Sequence, residues 1–346
     1  MKLVVGRHQL RGANRGGQLQ REQMTRYLLA MFLAALQLWS SAGTAQLPNR
    51  VPVVGILTVT AGPTDPLASS FRDGLAQLGY IEGQNIRIDH RNADGRVDRL
   101  PRLAEELVRL PADIIVVGAE PALSIVTGAT KTIPIVIVSF DQDPVATGLV
   151  KSISRPGGNV TGVFTLQAEL TVKRLELLRD AIPGIMRVAV FWDPMNRRGA
   201  SDIEEAARSL GLAVQPIEVR APYDFHTGFR TAKKDKAGAV FVSFSPGFYV
   251  QRGRLAKAAI DARIPTMLTM EGQVEAGGLM SYGATLADIW GRAPYYVDRL
   301  LKGAKPSELP IEQVSRFNLA LNLKTAKALG ITFPESVLIR ADQIIK

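Results

Sequence analysis

The apolar residues of this chain alternate between short continuous runs and longer stretches with helical spacing. Val51–Leu57 is a continuous apolar run, as expected of a strand that is buried on both faces of a sheet. Asp65–Leu78 follows with apolar residues three or four positions apart and predicts an amphipathic helix, closed by Gly79. The same order repeats, with predicted strands at Asn85–His90, Asp113–Val117 and Ile135–Val138 and predicted helices at Val97–Leu110 and Pro121–Thr130. This alternation predicts a parallel sheet with helices on both faces.

A second set of units of similar size begins at Arg187. Its predicted strands are Arg187–Trp192, Ala213–Ile217, Ala239–Phe244 and Pro265–Leu268, and its predicted helices are Arg198–Leu210, Tyr223–Lys233 and Tyr249–Ala262. No close sequence repeat links the two sets, so their similarity is one of pattern. Between them, the turn signal of Arg155–Thr165 leads into a short strand at Val160–Thr165, and Gln313–Leu321 is a further extended candidate. We interpret both as passages between two doubly wound α/β domains.

The N-terminal stretch Met24–Gln46 has the anatomy of a secretory signal peptide. Arg26 supplies the positive charge, Tyr27–Trp39 the apolar run, and Gly43 and Ala45 the small residues before a cut at Gln46. The apolar run is shorter than the roughly 20 residues of a spanning helix. An amphipathic or buried N-terminal helix is the alternative. Residues 1–23 are polar, and Met24 is an alternative start to Met1.

Charge and cysteine content narrow the classes of function. The chain of 346 residues carries a formal charge of +10. Half of that charge lies in residues 1–45, which hold six basic residues and one acidic residue. The remaining basic residues, such as the pair Lys173 and Arg174, are scattered over predicted helices, so we expect solvated faces and no nucleic-acid partner. With no cysteine, thiol catalysis, disulfides and a lipid anchor on cysteine are excluded. With three histidines, one of them in the leader, we expect no metal and no cofactor.

The carboxyl ends of parallel strands are the expected place for a ligand. Hydroxyls, carboxylates and aromatic residues follow the predicted strands there, a mixture that suits a zwitterionic ligand. Helix N-termini and hydroxyls accept its carboxylate, acidic side chains its ammonium, and an aromatic wall its apolar part. The alternative for each single residue is helix capping, as for Asp143, which precedes a proline.

Catalytic motifs are absent from the sequence. It contains no G-x-S-x-G elbow, P-loop, G-x-G-x-x-G or H-E-x-x-H pattern. His90 falls inside a predicted strand, which favours a structural role. The pair Asp141 and Asp143 leaves acid–base chemistry open as an alternative.

Eight segments of the chain resemble one family in order and spacing. They are Phe71–Ile86, Asp98–Val108, Asp143–Val150, Arg155–Val163, Lys173–Gly184, Glu275–Gly283, Tyr296–Pro310 and Leu321–Ile331. The chain thereby resembles the ABC-transporter substrate-binding proteins of the tryptophan/tyrosine-uptake-like family. The sequence departs from that family at Gly118–Pro121 and at Met270–Gln273, both in predicted ligand loops, which puts amino-acid specificity in doubt.

The resemblance implies a type I periplasmic-binding-protein fold, with two Rossmann-like lobes, a three-stranded hinge and a ligand between the lobes. It implies a first lobe of residues 46–163 and 283–312, and a second lobe of residues 164–282 and 313–346. The helix Leu286–Lys302 would return to the first lobe. The expected ligand contacts, taken from the strand ends, are Thr58, Ala119, Glu120, Asp141, Asp143, Trp192, Asp193, Ser245, Glu271 and Tyr282.

The expected function is that of a periplasmic monomer that closes on a small ligand and delivers it to an inner-membrane ABC permease. Two alternatives stay open at this point. One is an exported enzyme that uses Asp141 and Asp143. The other is a sensory module that presents its liganded state to a receptor kinase.

Overall fold

Two separate sheets organise the chain in a computed structural model, which describes residues 50–59, 66–118, 120–140, 143–166, 170–195 and 201–346. The predicted leader, Ala119 and Asp141 lie outside the described residues. The described strands are β1 Val53–Thr58, β2 Arg87–Asn92, β3 Ile114–Gly118, β4 Ile135–Phe140, β5 Val160–Thr165, β6 Arg187–Trp192, β7 Ala213–Glu218, β8 Ala239–Val242, β9 Thr266–Leu268, β10 Met280–Gly283, β11 Glu312–Gln313, β12 Asn318–Asn322 and β13 Gln343–Ile345. The described helices are α1 Pro66–Gln77, α2 Leu100–Arg109, α3 Ala122–Ala129, α4 Thr171–Ala181, α5 Ser201–Ser209, α6 Phe225–Lys234, α7 Pro246–Val250, α8 Arg252–Ala262, α9 Glu271–Glu275, α10 Leu286–Trp290, α11 Ala293–Leu301, α12 Leu323–Leu329 and α13 Glu335–Leu338, with a 3₁₀ turn at Val97–Arg99.

The strand order is that of two doubly wound sheets. The first sheet runs β11-β5-β4-β3-β1-β2 and the second runs β13-β12-β10-β9-β8-β6-β7. Among the strands described, β10 and β12 pair antiparallel and the other neighbours pair parallel. The fold class expected from the sequence is therefore confirmed. We call each sheet with the helices packed on it a lobe.

Helices cover both faces of each sheet, which explains the continuous apolar runs of the central strands. In the first lobe, α1, α10 and α11 pack on one face, and α2 and α3 pack on the other. In the second lobe, α4, α5, α12 and α13 cover one face, and α6, α7, α8 and α9 cover the other. Alternate residues of each strand thus enter different apolar clusters.

The chain passes between the sheets three times. It leaves the first sheet after β5, returns after β10 through α10 and α11, and leaves again between β11 and β12. The predicted single helix Leu286–Lys302 is two helices, and the predicted helix Tyr249–Ala262 is preceded by the separate short helix α7. The exact lobe boundaries stay a prediction; Thr165 and Gln313 both belong to strands of the first sheet.

The third passage is held by an ion pair in the first lobe. Arg292, between α10 and α11, donates to both carboxylate oxygens of Glu312 in β11, at 2.7 and 2.6 Å. The hydrogen bonds from Arg292 hold the pKa of Glu312 below its usual range. This bidentate geometry is the stronger form of a charged hydrogen bond. In the described part of the chain, we find no helix with the length and apolar character needed to cross a membrane.

Candidate ligand-binding site

Apolar residues of both lobes meet in one cluster beside the carboxyl end of the first sheet. Val116, Val138 and Val163 point from β3, β4 and β5 toward Trp290 of α10. Three residues of the second lobe belong to the same cluster: Phe244, Tyr249 and Met270. We call this set of residues the interlobe cluster. Because ligands of open parallel sheets bind at the carboxyl ends of strands, it marks a candidate binding site.

A second contact between the lobes lies on the opposite face of the first sheet. Met195, which follows β6 of the second lobe, packs against the cluster that contains Leu57 and Val59, as does Leu166 after β5. The carboxyl ends of both sheets therefore face one another in this structure.

Three predicted contacts of the first lobe are described, and each already has a partner. Thr58, at the end of β1, is buried, and its hydroxyl lies 2.8 Å from Nε2 of His90. Glu120 accepts a hydrogen bond from the hydroxyl of Ser124, at 2.8 Å. Asp143 accepts from the backbone N–H groups of Val145 and Ala146, at 2.8 and 3.1 Å. These bonds agree with the capping alternative for Glu120 and Asp143.

Two predicted contacts of the second lobe, Asp193 and Ser245, are joined in a buried hydrogen-bond network. One carboxylate oxygen of Asp193 accepts from the Ser245 hydroxyl at 2.5 Å and from the Tyr223 hydroxyl at 3.0 Å. The other oxygen accepts from the backbone N–H of Met195 at 3.0 Å. Burial, together with the charge and hydrogen bond of Asp193, raises the pKa of Tyr223, so its phenol stays protonated and donates.

Ser245 also anchors the next helix in this network. Its hydroxyl accepts from the backbone N–H groups of Gly247 and Phe248 and so caps the N-terminus of α7. Asp193 thus connects the loops that follow β6, β7 and β8. We therefore expect this carboxylate to hold the three loops in place beneath the candidate site.

Trp192 and Tyr282 lie at the strand ends on the other face of the second sheet. Both are half-buried. Arg174 of α4 is 1% exposed, and its Nε donates to the backbone carbonyl of Tyr282 at 2.6 Å. The expectation of a solvated Arg174 is therefore wrong. Its neighbours along the helix face the core, and the guanidinium links α4 to the strand that passes back to the first lobe.

Glu271 is a half-buried carboxylate at the start of α9. Burial is the main cause of its raised pKa, and the negative charges of Glu275 and Asp288 raise it further. A hydrogen bond from Asn318 acts in the opposite direction. Asp288 comes from α10, which packs with the first lobe, so this negative potential lies close to the passage between the lobes. A cation bound there would relieve the repulsion.

Three buried residues were not predicted as contacts, because the candidates were taken from the loops after the strands and these residues lie inside predicted strands or a predicted helix. Thr165 is the last residue of β5, Ser243 follows β8 directly, and Trp290 ends α10. The side chains of all three are buried. Strand alternation could have indicated Thr165, because it places this side chain on the same face of the sheet as Val163.

Two doubly wound α/β lobes that are joined by three passages and whose strand ends face each other define the class of type I periplasmic binding proteins. Comparison with known families gives the particular group. The family model described as "ABC transporter substrate binding protein" matches residues 53–345. The chain belongs to this family of ABC transporter substrate-binding proteins.

Individual matches include a protein named for tyrosine binding and a structure solved with L-Trp. The chain is 25% identical to the tyrosine-binding protein of Clostridioides difficile over 283 residues, 80% of this chain and 81% of that protein. A Streptococcus pneumonia ABC domain solved in complex with L-Trp matches with 27% identity and a TM-score of 0.77, over 86% of this chain and all of that one. A conserved domain protein of Vibrio cholerae matches with 27% identity and a TM-score of 0.78, over 85% of this chain and all of that one.

Proposed function

We propose that this protein is the exported binding component of an ABC importer and that its ligand is an aromatic amino acid or a close analogue. Relatives that bind tyrosine and L-Trp support this ligand class. The ligand would be trapped by closure of the two lobes and passed unchanged to a permease in the inner membrane. The protein would work as a monomer.

One observation carries the proposal: Phe244, Tyr249 and Met270 of the second lobe share a cluster with residues of the first lobe. A ligand held at this point contacts both lobes, so its binding energy favours the closed arrangement. An aromatic side chain matches the apolar and aromatic lining, because aromatic pairs are stabilised beyond the area that they bury.

We assign the ammonium of the ligand to Glu271 and its surroundings. The carboxylate of Glu271 is half-buried and its pKa is raised, so a positive charge beside it is favourable. Trp192 and Tyr282 remain candidate walls of the site, and Thr58 remains a candidate polar contact. Asp193 supports the loops, because its carboxylate already accepts three hydrogen bonds.

The acid–base alternative has less support. Asp143 accepts hydrogen bonds from two backbone N–H groups of its own loop, and Asp141 lies outside the described residues. Incubation with the bound compound, followed by mass spectrometry of the released small molecules, distinguishes binding from turnover. We expect the compound to be recovered unchanged. A new product formed at a rate that depends on the protein would contradict the binding role.

A thermal-shift screen over amino acids and aromatic carboxylates tests the ligand class. A ligand at 100 times its Kd stabilises the folded protein by about 2.7 kcal/mol. We expect tyrosine, tryptophan or phenylalanine to raise the Tm, and glutamate and lysine to leave it unchanged. An unchanged Tm with every aromatic compound would exclude the proposed class.

N-terminal sequencing of the protein from a periplasmic extract tests the export proposal. We expect the chain to start at Gln46. A retained leader, or a start far from Gln46, would contradict it.

A further inference from the structure

Four side chains in the described part of the chain bury a polar atom that has no hydrogen-bond partner there and make no other side-chain hydrogen bond. They are the hydroxyls of Thr165, Ser243 and Ser281 and the indole Nε1–H of Trp290. The large majority of buried side-chain polar atoms in folded proteins are paired. Each unpaired group therefore calls for a partner from outside the protein or for water.

Two of these groups lie on the same face of the first sheet. Thr165 follows Val163 by two residues, so both side chains leave β5 on the side of the interlobe cluster. The indole of Trp290 lies in that cluster and packs on Gly118, where a Cβ would come within 2.8 Å of the ring. Because Gly118 has no Cβ, the indole ring of Trp290 can pack directly on the backbone at the end of β3.

The strand registers fix the spacing between the backbone of Thr165 and that of Gly118, on which the indole of Trp290 packs. Gly118 lies opposite Val138 of β4, and Phe140 of β4 lies opposite Thr165. The backbone of Thr165 is therefore two strand spacings, about 10 Å, across the sheet from Gly118, and two residues, about 7 Å, further along it. This span matches a small molecule with polar groups at both ends.

We propose that Trp290 and Thr165 are the polar contacts of the first lobe for the ligand, an inference that rests on the proposed function. The indole Nε1–H donates to an oxygen of the ligand, and the Thr165 hydroxyl makes the second hydrogen bond. An indole N–H is a donor only, so its partner must be an acceptor. The surrounding valines and aromatic residues are apolar, which favours a ligand with a carboxylate or carbonyl oxygen on an apolar body.

Conservative variants of the two residues test this assignment by isothermal titration calorimetry. The probe is whichever of L-tyrosine and L-tryptophan raises the wild-type Tm more. Trp290→Phe keeps an aromatic ring and removes the donor, and Thr165→Val removes the hydroxyl at constant shape. A hydrogen bond to a charged acceptor corresponds to roughly 10-fold to 100-fold in Kd. We expect a loss in that range for Trp290→Phe and a smaller loss for Thr165→Val.

Ser281→Ala is the matched control. Its hydroxyl is also buried and unpaired, but Ser281 lies opposite Leu268 and Ala320, which belong to the core cluster beneath α6–α9 and not to the interlobe cluster. We expect its Kd to equal that of the wild type. The indole N–H signal of Trp290 in ¹H–¹⁵N spectra, assigned by its loss in Trp290→Phe, gives a readout in the wild-type protein. We expect this signal to shift downfield when the ligand binds.

The outcomes separate this inference from the proposed function. Normal affinity in both variants, or an indole signal that does not move on binding, would overturn the inference alone and indicate that water satisfies the two groups. A wild-type protein that binds neither amino acid would overturn both. If Trp290→Phe does not fold, the Thr165→Val titration still tests the inference, and the Trp290 signal is assigned by elimination from the indole signal that is lost in Trp192→Phe.

Discussion

Two sets of buried polar groups, one at the carboxyl end of each sheet, differ in how far their hydrogen bonds are satisfied. In the second lobe, the carboxylate of Asp193 is saturated by the Tyr223 and Ser245 hydroxyls and a backbone N–H. In the first lobe, the hydroxyl of Thr165 and the indole of Trp290 are buried with no partner in the described residues. A saturated group holds a loop in place, whereas an unsaturated buried group has binding capacity left.

This contrast favours Thr165 and Trp290 over Asp193 as ligand contacts. A charged residue directly after a strand is a natural candidate for a ligand contact, yet Asp193 connects three loops of its own lobe. Thr165 and Trp290 are uncharged, yet their buried polar atoms have hydrogen-bonding capacity left for a ligand. We therefore expect variants of the Asp193 network to lower stability first, and variants of Thr165 and Trp290 to lower affinity at nearly constant stability.

The largest expected effect is the loss of stability in Asp193→Ala. The substitution leaves the Tyr223 hydroxyl and the backbone N–H of Met195 buried without their acceptor. We expect the free energy of unfolding in urea to fall by about 3 kcal/mol. Asp193→Asn keeps the shape of the side chain and one acceptor oxygen, so we expect its free energy of unfolding to fall by about half as much. A change below about 1 kcal/mol in Asp193→Ala would show that the network is not a support.

A pair of glycine substitutions tests the same network, with a smaller expected change in the free energy of unfolding. A Cβ on Gly247 would lie 1.9 Å from the Tyr223 hydroxyl, so Gly247→Ala forces Tyr223 away from Asp193. We expect a loss of about 2 kcal/mol, typical of overpacking. Gly253, in the next helix, has nothing within 4 Å of the same position. Gly253→Ala should therefore raise stability by about 0.5 kcal/mol in the same urea assay. Equal effects of the two variants would contradict the packing argument.

The smallest expected effect is the pH dependence at Glu271. Its pKa is raised by burial and by Glu275 and Asp288, so its contribution to stability is complete below the unfolded pKa and is lost as the pH rises through the folded pKa. A ligand ammonium favours the ionised form, so affinity should rise over that same interval. Titration calorimetry from pH 4 upward to neutral pH measures this dependence.

Glu271→Gln should flatten this pH profile, because it removes the titrating group. Glu275→Gln is the control, since Glu275 is exposed and only adds to the local potential. A wild-type affinity that does not change with pH, or a profile that Glu271→Gln leaves unaltered, would place the ammonium elsewhere.

The sequence predicts most of the fold because each strand and helix has its own pattern. The apolar run of β1 ends at Leu57, and α2 has one apolar face along its length, so both are recognised locally. Predicted element ends differ by a few residues, as at β8, which ends at Val242 and not at Phe244. The break between α10 and α11 was not predicted, because the apolar spacing continues across Gly291.

The site is harder to predict, because it depends on which residues meet across the lobes. Thr58, Trp192 and Tyr282 lie at strand ends as expected, which follows from the topology alone. The partners of Asp193 come from positions 30 and 52 residues away, which no local pattern reveals. The burial of Arg174 and Trp290 likewise follows from the return of the chain after β10 and from the packing of α4 on the second sheet.

A crystal structure of the protein with tyrosine or tryptophan, whichever raises the Tm more, tests the central claim most directly. We expect the ligand between the carboxyl ends of the two sheets, with an oxygen within hydrogen-bond distance of Trp290 Nε1 and a second polar atom within hydrogen-bond distance of the Thr165 hydroxyl. We also expect the Asp193 network to be unchanged. A ligand bound elsewhere, or one whose polar groups contact Asp193 and leave Trp290 and Thr165 unpaired, would contradict this claim.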